Sequence, residues 1–580
     1  MFLFGFIIAY PEEIHKSFFA LLRYFYNFPH FYFLFAEKKL RFLHPDTVCF
    51  RVRATAGAEV DTFCQKYVKI LLTSLDFGVI VYVVKVGLFT AFTKNYYFQE
   101  GEICCFFSKS AFVLENLTKT EVCALPTAAE LRTALSESEN SGIRNRLAML
   151  FDEATFVETA AYTKRAFSEF LATDKANEFE GVITGYGAID GKLVYAFAED
   201  VSRGGAVIDE RHAKKIADLY NLALHNGAPV IGIFDSDGTD IFMGTSALSA
   251  YGKIMKKVAS ASGVIPQIAV ISGKCVGTAA SIAALFDFVI KEKDAAYYVS
   301  SPALVGVADA QNDTVSFTGD TAECFAFARS LVSFLPENAD VGADVGECAD
   351  NLNRMLGDLD FAGDGLSMIS TIADNAVYYE IGKEYAPVLS TALATIGGVK
   401  CGIIATSFAK EEGRITAEAA KKATKFINFC DCFGIPLVTL VDSLGLAVKA
   451  DNEPAYADAL ASLAYAYASS DNAKVTVVVG HAIGAAFVLL GSKALGADLV
   501  YATDSSEIGA LPAESGVAFA WDKYITLETK REELISRWKE SVSSPVHAAC
   551  SGEIDDIISV NELRARICSA LLMLAGKARF

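Results

Sequence analysis

The chain carries one plan twice. Residues 213–238 (AKKIADLYNLALHNGAPVIGIFDSDG) align without a gap on residues 420–445 (AKKATKFINFCDCFGIPLVTLVDSLG), 207 positions later, with nine of 26 positions identical. The identities include an Ala-Lys-Lys start, a Gly-x-Pro turn and an Asp-Ser-x-Gly end. The same offset carries Ile189 and Gly191 onto Ile396 and Gly398, and GKCVGTAAS at 273–281 onto GHAIGAAFV at 480–488. A constant offset across helix, strand and turn marks a duplication, and a period this long means two repeated domains rather than a solenoid.

Each copy reads as α/β. Ile216, Leu219, Tyr220 and Ala223 recur at helical spacing over 213–226, and Gly227 is placed to cap that helix. The apolar runs APVIGIFD and PQIAVIS follow as buried strands, then the small-residue turn, then TAASIAALF as a helix beginning near Gly277. KVTVVV, GHAIGAA and FVLLGSKAL repeat that order. Helices alternating with fully apolar strands predict mainly parallel sheets covered on both faces.

A turn from strand into helix leaves backbone N–H groups without intrahelical acceptors. Small side chains let a ligand oxygen approach those donors, and the helix dipole adds positive potential there. Such an elbow can hold an oxyanion with backbone alone. Gly and Ala in one such turn equally serve close packing of helix on sheet. A repeated pair on a covered sheet favours the binding role.

At 580 residues the chain predicts two or three domains, and 52% hydrophobic residues with 13 prolines mark it as globular. A net charge of −19 without a basic stripe argues against nucleic acid as partner. Thirteen cysteines include no Cys-x-x-Cys pair, so no metal site is expected and reduced thiols in a cytoplasmic protein are. Residues 1–125 differ from the rest, with 13 Lys+Arg against 11 Asp+Glu and 20 of the 42 phenylalanines. Their start, MFLFGFIIAYPEE, has no basic n-region, so no signal peptide is expected. The most apolar stretch, 70–84, is interrupted by Asp76 and flanked by Lys66, Lys69 and Lys85, which argues against a membrane span.

Several segments resemble the biotin-dependent acyl-CoA carboxyltransferases: FEGVITGYGAIDGKLVYAFAED, HAKKIADLYNLALHNGAPVIGIFDSDG, ASGVIPQIAVISGKC, FINFCDCFGIPLVTLVDSLG, LGADLVYATDSSEIGALPAESGV and GEIDDIISVNELRARI. That family includes the β subunits of acetyl- and propionyl-CoA carboxylases and the carboxyltransferase subunit of methylmalonyl-CoA decarboxylase. The resemblance covers about residues 127–580 and does not reach 1–125. It implies two tandem crotonase-like domains (ClpP/crotonase superfamily) related by internal duplication. The expected division is an aromatic-rich extension at 1–126, an acyl-CoA-side domain at 127–345 and a biotin-side domain at 346–580.

The family's chemistry implies a use for both elbows. Carboxyl transfer from N-carboxybiotin to an acyl-CoA develops negative charge on the biotin ureido oxygen and on the thioester oxygen. By resemblance, Gly277, Thr278 and Ala279 would hold the thioester oxygen, and Gly484, Ala485 and Ala486 the biotin oxygen. Gly204, Gly205, Ser236 and Gly238 would line the cofactor and CoA side, and Val488 the acyl pocket, where an apolar residue favours a short uncharged acyl group. Arg203 is a candidate for a CoA phosphate, against the plainer reading of a solvated arginine. His212, His225 and His481 read as helix or turn residues rather than catalysts. The only Met-Lys dipeptide, Met255-Lys256, lies in a helical stretch, so biotin must arrive on a separate carrier. The implied partners are a biotin carboxyl carrier protein and a biotin carboxylase, or a membrane decarboxylase β subunit, around a homo-oligomer, a hexamer.

The sequence departs from the family at Thr278 and Ala485, where the family has Gly, and at Asp237, which adds a carboxylate to the family's Asp-Ser-Gly-Gly turn. A β-branched residue narrows the approach and resists positive φ. The loop after Pro302 is also short. The rival readings are the same transfer run backwards in a sodium-pumping decarboxylase, an enoyl-CoA hydratase or isomerase, and an inactive partner subunit. The hydratase reading wants glutamates near the pocket, and Ser281, Ile282, Phe487 and Val488 offer none.

Overall fold

In a computed structural model, the described residues are four short strands between 69 and 104, and 127–577 apart from 138–140, 166–177, 307–312, 344, 357–362, 449–452 and 527–528. The chain divides into two compact units, Met1–Pro126 and Thr127–Phe580. In the first, β1 (Lys69–Leu75) pairs antiparallel with β2 (Gly78–Val84), and β3 (Tyr97–Gln99) with β4 (Glu102–Cys104). The apolar stretch at 70–84 is thus a hairpin, and among the described residues no helix is long and apolar enough to cross a membrane. The shortened loop after Pro302 falls partly outside the described residues.

The second unit holds two mixed sheets. The first contains β5 (Val157–Thr159), β6 (Val182–Ile189), β7 (Lys192–Glu199), β8 (Val230–Phe234), β9 (Gln267–Ile271), β11 (Phe288–Glu292) and β13 (Val315–Gly319), in the order β13-β11-β9-β8-β7-β6-β5. The short strands β10 (Lys274–Val276) and β12 (Ala296–Tyr298) form a parallel pair beside it. The second sheet contains β14 (Tyr378–Ile381), β15 (Leu389–Ile396), β16 (Val399–Thr406), β17 (Leu437–Ser443), β18 (Lys474–Ile483), β19 (Leu499–Thr503) and β21 (Asp556–Ile558), and β20 (Glu507–Gly509) pairs with β18. In each sheet the first hairpin is antiparallel and the pairs that follow are parallel. Crossover helices make those parallel pairs possible.

The duplication survives in the structure residue by residue. β6 and β15, and β7 and β16, begin and end at equivalent positions 207 apart. The helices Glu210–Asn226 and Ala417–Cys432 also begin at equivalent positions. Asp209 caps the first helix by accepting from the N–H groups of Arg211 and His212, and Gly227, at φ 60°, ends it with a left-handed cap. The Ala-Lys-Lys signature has a physical reason. Ala213 and Ala420 are fully buried against the sheets, and the second lysine ties the helix to the strand next to one edge of each sheet, β6 or β15. Lys215 donates to the carbonyl of Val182, and Lys422 to that of Leu389 at 2.8 Å.

Alternate residues of the strands serve different cores, as the period-2 geometry of a strand requires. Val230 and Phe234 face a core with Ile216, Leu219 and Tyr220 of the helix. Ile231 and Ile233 face a core shared with the second half, which includes Leu389, Ile404, Ala423 and Ile427. There Phe288 meets Phe429 edge to face at 4.6 Å. The outer face of the second sheet packs Val438, Leu440, Val475 and Val477 against the helix Leu563–Leu574.

Candidate functional site: two strand-to-helix elbows

The two elbows share one backbone shape. Gly277 has φ 62° and ψ −129°, and Gly484 has φ 58° and ψ −129°. A Cβ is strongly disfavoured there, so glycine is required at both points. The helices Thr278–Ala283 and Ala485–Leu489 then begin without a side-chain cap. Ala279 and Ala486 are buried, whereas Thr278 is exposed and Ala485 half-buried. Thr278 is not among the positive-φ residues. The expectation that its branched side chain would strain the turn is therefore corrected: Gly277 takes the positive φ, and Thr278 enters as the first helical residue.

Each elbow is anchored at its entry by an aspartate. Asp235 Oδ1 accepts from the N–H of Lys274 at 3.1 Å, and the equivalent Asp442 Oδ1 from that of His481 at 2.8 Å. The preceding glycines leave room for these carboxylates: a Cβ at Gly273 would lie 2.1 Å from Asp235 Oδ1, and one at Gly480 would lie 2.4 Å from Asp442 Oδ1. The amides of Gly277 and Gly484 are also bound, to the carbonyls of Tyr298 and Gly509.

Most of the remaining candidates gather at the first elbow. Gly204, Gly205 and Ala206 form a short turn with φ of 58°, 76° and 47°. Ser236 Oγ donates to the carbonyl of Ala206 at 2.8 Å and accepts from the N–H of Gly238 at 3.0 Å. The N–H of Asp237 donates to Gly205 O, and the N–H of Ser236 donates to Lys274 O. The glycine-rich turn, the Asp235–Gly238 turn and the strand entering the elbow are thus one hydrogen-bonded assembly. Asp237 is not a lone carboxylate, because Lys274 Nζ reaches it at 2.8 Å, and that contact raises the lysine's pKa. Val488 belongs to the other elbow, half exposed on the helix that starts there.

Two expectations are corrected: for Arg203, and for His481, which lies on strand β18 rather than in a helix or turn. Arg203 is buried, not solvated, with Nε 3.4 Å from Asp200 Oδ2. His212 lies on a helix, as expected, and its imidazole is fully buried between Glu180 and Glu199, at 3.5 and 3.6 Å. Burial alone would lower its pKa, but the two carboxylates prevail and hold it at about 9. His481 sits at the second elbow with Nδ1 2.8 Å from Asp442 Oδ1 and its ring stacked on Phe408 at 4.8 Å. Asp442 raises its pKa. Neither Glu180 nor Glu199 stands out in the sequence, because strand pairing and a helix bring together residues 13 to 32 positions apart. Among the described residues no cluster of three or more His, Cys, Asp or Glu is placed to hold a metal.

The chain matches the carboxyl transferase domain over residues 137–308 and 314–580. It is 36% identical over 463 residues to the methylmalonyl-CoA decarboxylase subunit alpha of Veillonella parvula, covering 75% of this chain and 90% of that protein. It is 32% identical over 466 residues to the mitochondrial propionyl-CoA carboxylase beta chain of Homo sapiens, covering 75% and 85%. Among solved structures, the transcarboxylase 12S hexamer with hydrolysed methylmalonyl-CoA bound superposes with a TM-score of 0.71 at 30% identity. That likeness covers 82% of this chain and 98% of that one. The duplicated α/β halves are crotonase-like, as the sequence implied, and the chain belongs to the carboxyl transferase family.

Proposed function

We propose that this acyl-CoA carboxyltransferase moves a carboxyl group between N-carboxybiotin on a separate carrier protein and a short acyl-CoA, acetyl-CoA or propionyl-CoA. The observation that carries this reading is the pair of matching elbows, each with a positive-φ glycine and no side-chain cap. Each presents amides where one reacting oxygen gains charge. The Gly277–Ala279 elbow holds the thioester oxygen and the Gly484–Ala486 elbow the biotin oxygen. Carboxybiotin supplies the carboxyl group and the base for the α-proton.

The fit at the second elbow rests on small residues. A Cβ at Gly484 would meet only Ala510 O, at 3.3 Å, and Ala486 adds no more than a methyl. A flat ureido ring can therefore reach the amides. The chain's own part is to bind, orient and stabilise. Gly204, Gly205, Ser236 and Gly238 shape the acyl-CoA side, and Val488 presents an apolar surface to a short acyl group. Residues 127–345 form the acyl-CoA half and 346–580 the biotin half, and residues 1–126 take no part in the chemistry. The assembly is a hexamer served by a biotin carboxyl carrier protein and a biotin carboxylase, in the cytoplasm. The match to a decarboxylase alpha subunit favours a second reading, the reverse transfer beside a membrane β subunit.

The test supplies carboxylated biotin carrier with acetyl-CoA or propionyl-CoA and follows malonyl- and methylmalonyl-CoA. Formation of either product supports the forward reading. Methylmalonyl-CoA decarboxylation with no forward transfer supports the second, and neither activity rejects both.

A further inference from the structure

The acyl-CoA half contains a group of buried charges of which its duplicate keeps only the lysine, as Lys422. Glu180, Glu199, Lys215 and His212 are all 5% exposed or less. His212 Nδ1 faces Glu180 and Nε2 faces Glu199, while Lys215 from the same helix donates to the carbonyl of Val182. Glu180 Oε1 also accepts from the N–H of Gly181 at 3.0 Å. Glu199 reaches beyond the group. Its Oε2 accepts from the N–H of Asp235 at 2.9 Å, and Asp235 in turn holds the N–H of Lys274 at the entry to the first elbow.

The duplicate shows that this backbone does not require charge. Thr406 stands at the position equivalent to Glu199, and its hydroxyl accepts from the N–H of Asp442 at 2.7 Å. Ala419 and Pro387 stand where the first half has His212 and Glu180. A hydroxyl thus does the backbone work that Glu199 does, at far lower desolvation cost than three buried ionisable groups. Their presence in one half alone points to a task particular to that half.

We propose that His212, clamped between Glu180 and Glu199, is a positioning residue that fixes the Asp235–Gly238 turn for acyl-CoA. It touches no substrate. It restrains Glu199, Glu199 restrains Asp235, and Asp235 sets where the turn and the elbow stand. Removing the imidazole leaves two buried carboxylates facing each other, which repel and release the turn. The inference rests on the assignment of acyl-CoA to the first elbow.

The experiment compares wild type, Glu199→Gln, His212→Ala and the triple variant Glu180→Gln/Glu199→Thr/His212→Ala, which takes the second half's residues at 199 and 212 and a neutral isostere at 180. Propionyl-CoA binding is read by calorimetry, KM and kcat by turnover, and the biotin side by decarboxylation of carboxybiotin. The expected result is a KM and Kd for propionyl-CoA raised on the order of tenfold in His212→Ala, the scale of one lost positioning contact. Glu199→Gln, nearly isosteric, follows in the same direction, and the triple variant recovers binding in part. Decarboxylation of carboxybiotin stays unchanged throughout. Unaltered propionyl-CoA binding in Glu199→Gln and the triple variant overturns the inference, as does an equal loss on the biotin side. If His212→Ala does not fold, those two variants decide. A wild type that binds propionyl-CoA without transferring a carboxyl group rejects the functional reading alone, because the binding comparison still reads the turn. If wild type binds only acetyl-CoA, the same comparison is read with acetyl-CoA, and a wild type that binds neither overturns both.

Discussion

Equivalent positions in the two halves reach the same backbone by different side chains. The lysine that ties helix to sheet is kept, as Lys215 and Lys422, and burial lowers the pKa of each to about 8. The aspartate that anchors the elbow entry is kept, as Asp235 and Asp442. Around these fixed points the halves diverge. The first holds Asp235 with a glutamate braced by a histidine, the second holds Asp442 with a threonine hydroxyl. The first makes its left-handed turn with Gly204-Gly205-Ala206, the second with Glu411-Glu412-Gly413 at φ of 50°, 55° and 66°. Duplication preserved the positions that the backbone needs and released the rest.

The sharpest way to break the comparison is to remove one amide from each elbow in turn. Ala279→Pro should lower carboxyl transfer by about 10²–10³, the cost of one oxyanion donor, and leave decarboxylation of carboxybiotin standing. Ala486→Pro should do the reverse, impairing decarboxylation of carboxybiotin while acyl-CoA still binds. Circular dichroism and melting confirm that each variant is folded. Equal loss of both half-reactions in both variants would show that the elbows are packing devices.

Stability against pH separates the halves next. His212 is held at about 9, above the usual histidine value of about 6.5, so its protonated form stabilises the fold. That contribution is fully present below about pH 6.5 and is lost as pH rises through about 9. It amounts to roughly 3 kcal/mol. Melting between pH 6 and 10 should fall more steeply for wild type than for the triple variant, which lacks the imidazole and both carboxylates. Parallel curves would mean that His212 carries no charge.

A smaller effect is expected at the left-handed turn. Glu411→Gly and Glu412→Gly place the first half's residue in the second half's strained backbone. Each should stabilise by about 1 kcal/mol or less, after the entropy that glycine adds to the unfolded chain. A lowered melting temperature would show that the Glu412–Arg414 ion pair at 2.9 Å outweighs the strain. Thr278→Gly should change least, because Thr278 is exposed and Gly277 already takes the positive φ. Loss of turnover there would assign the threonine side chain a role in binding.

The sequence alone determined the duplication, the α/β class and the position of both elbows. Those features are local or periodic: apolar runs set the strands, Gly227 ends a helix, and Gly277 and Gly484 mark the turns that only glycine tolerates. The family resemblance also pointed to Ser236 and Gly238, which share one local hydrogen bond, although Ser236 Oγ also reaches Ala206 O, 30 residues away. The tertiary structure decided the side-chain partners. Arg203 was buried by Asp200, Asp237 was met by Lys274, and His212 was enclosed by glutamates from a strand and the loop before another. A histidine on a helix face reads alike whether it meets solvent, leucine or two carboxylates. Only the sheet packed against that face chooses among them, and that sheet assembles from segments far apart in the chain.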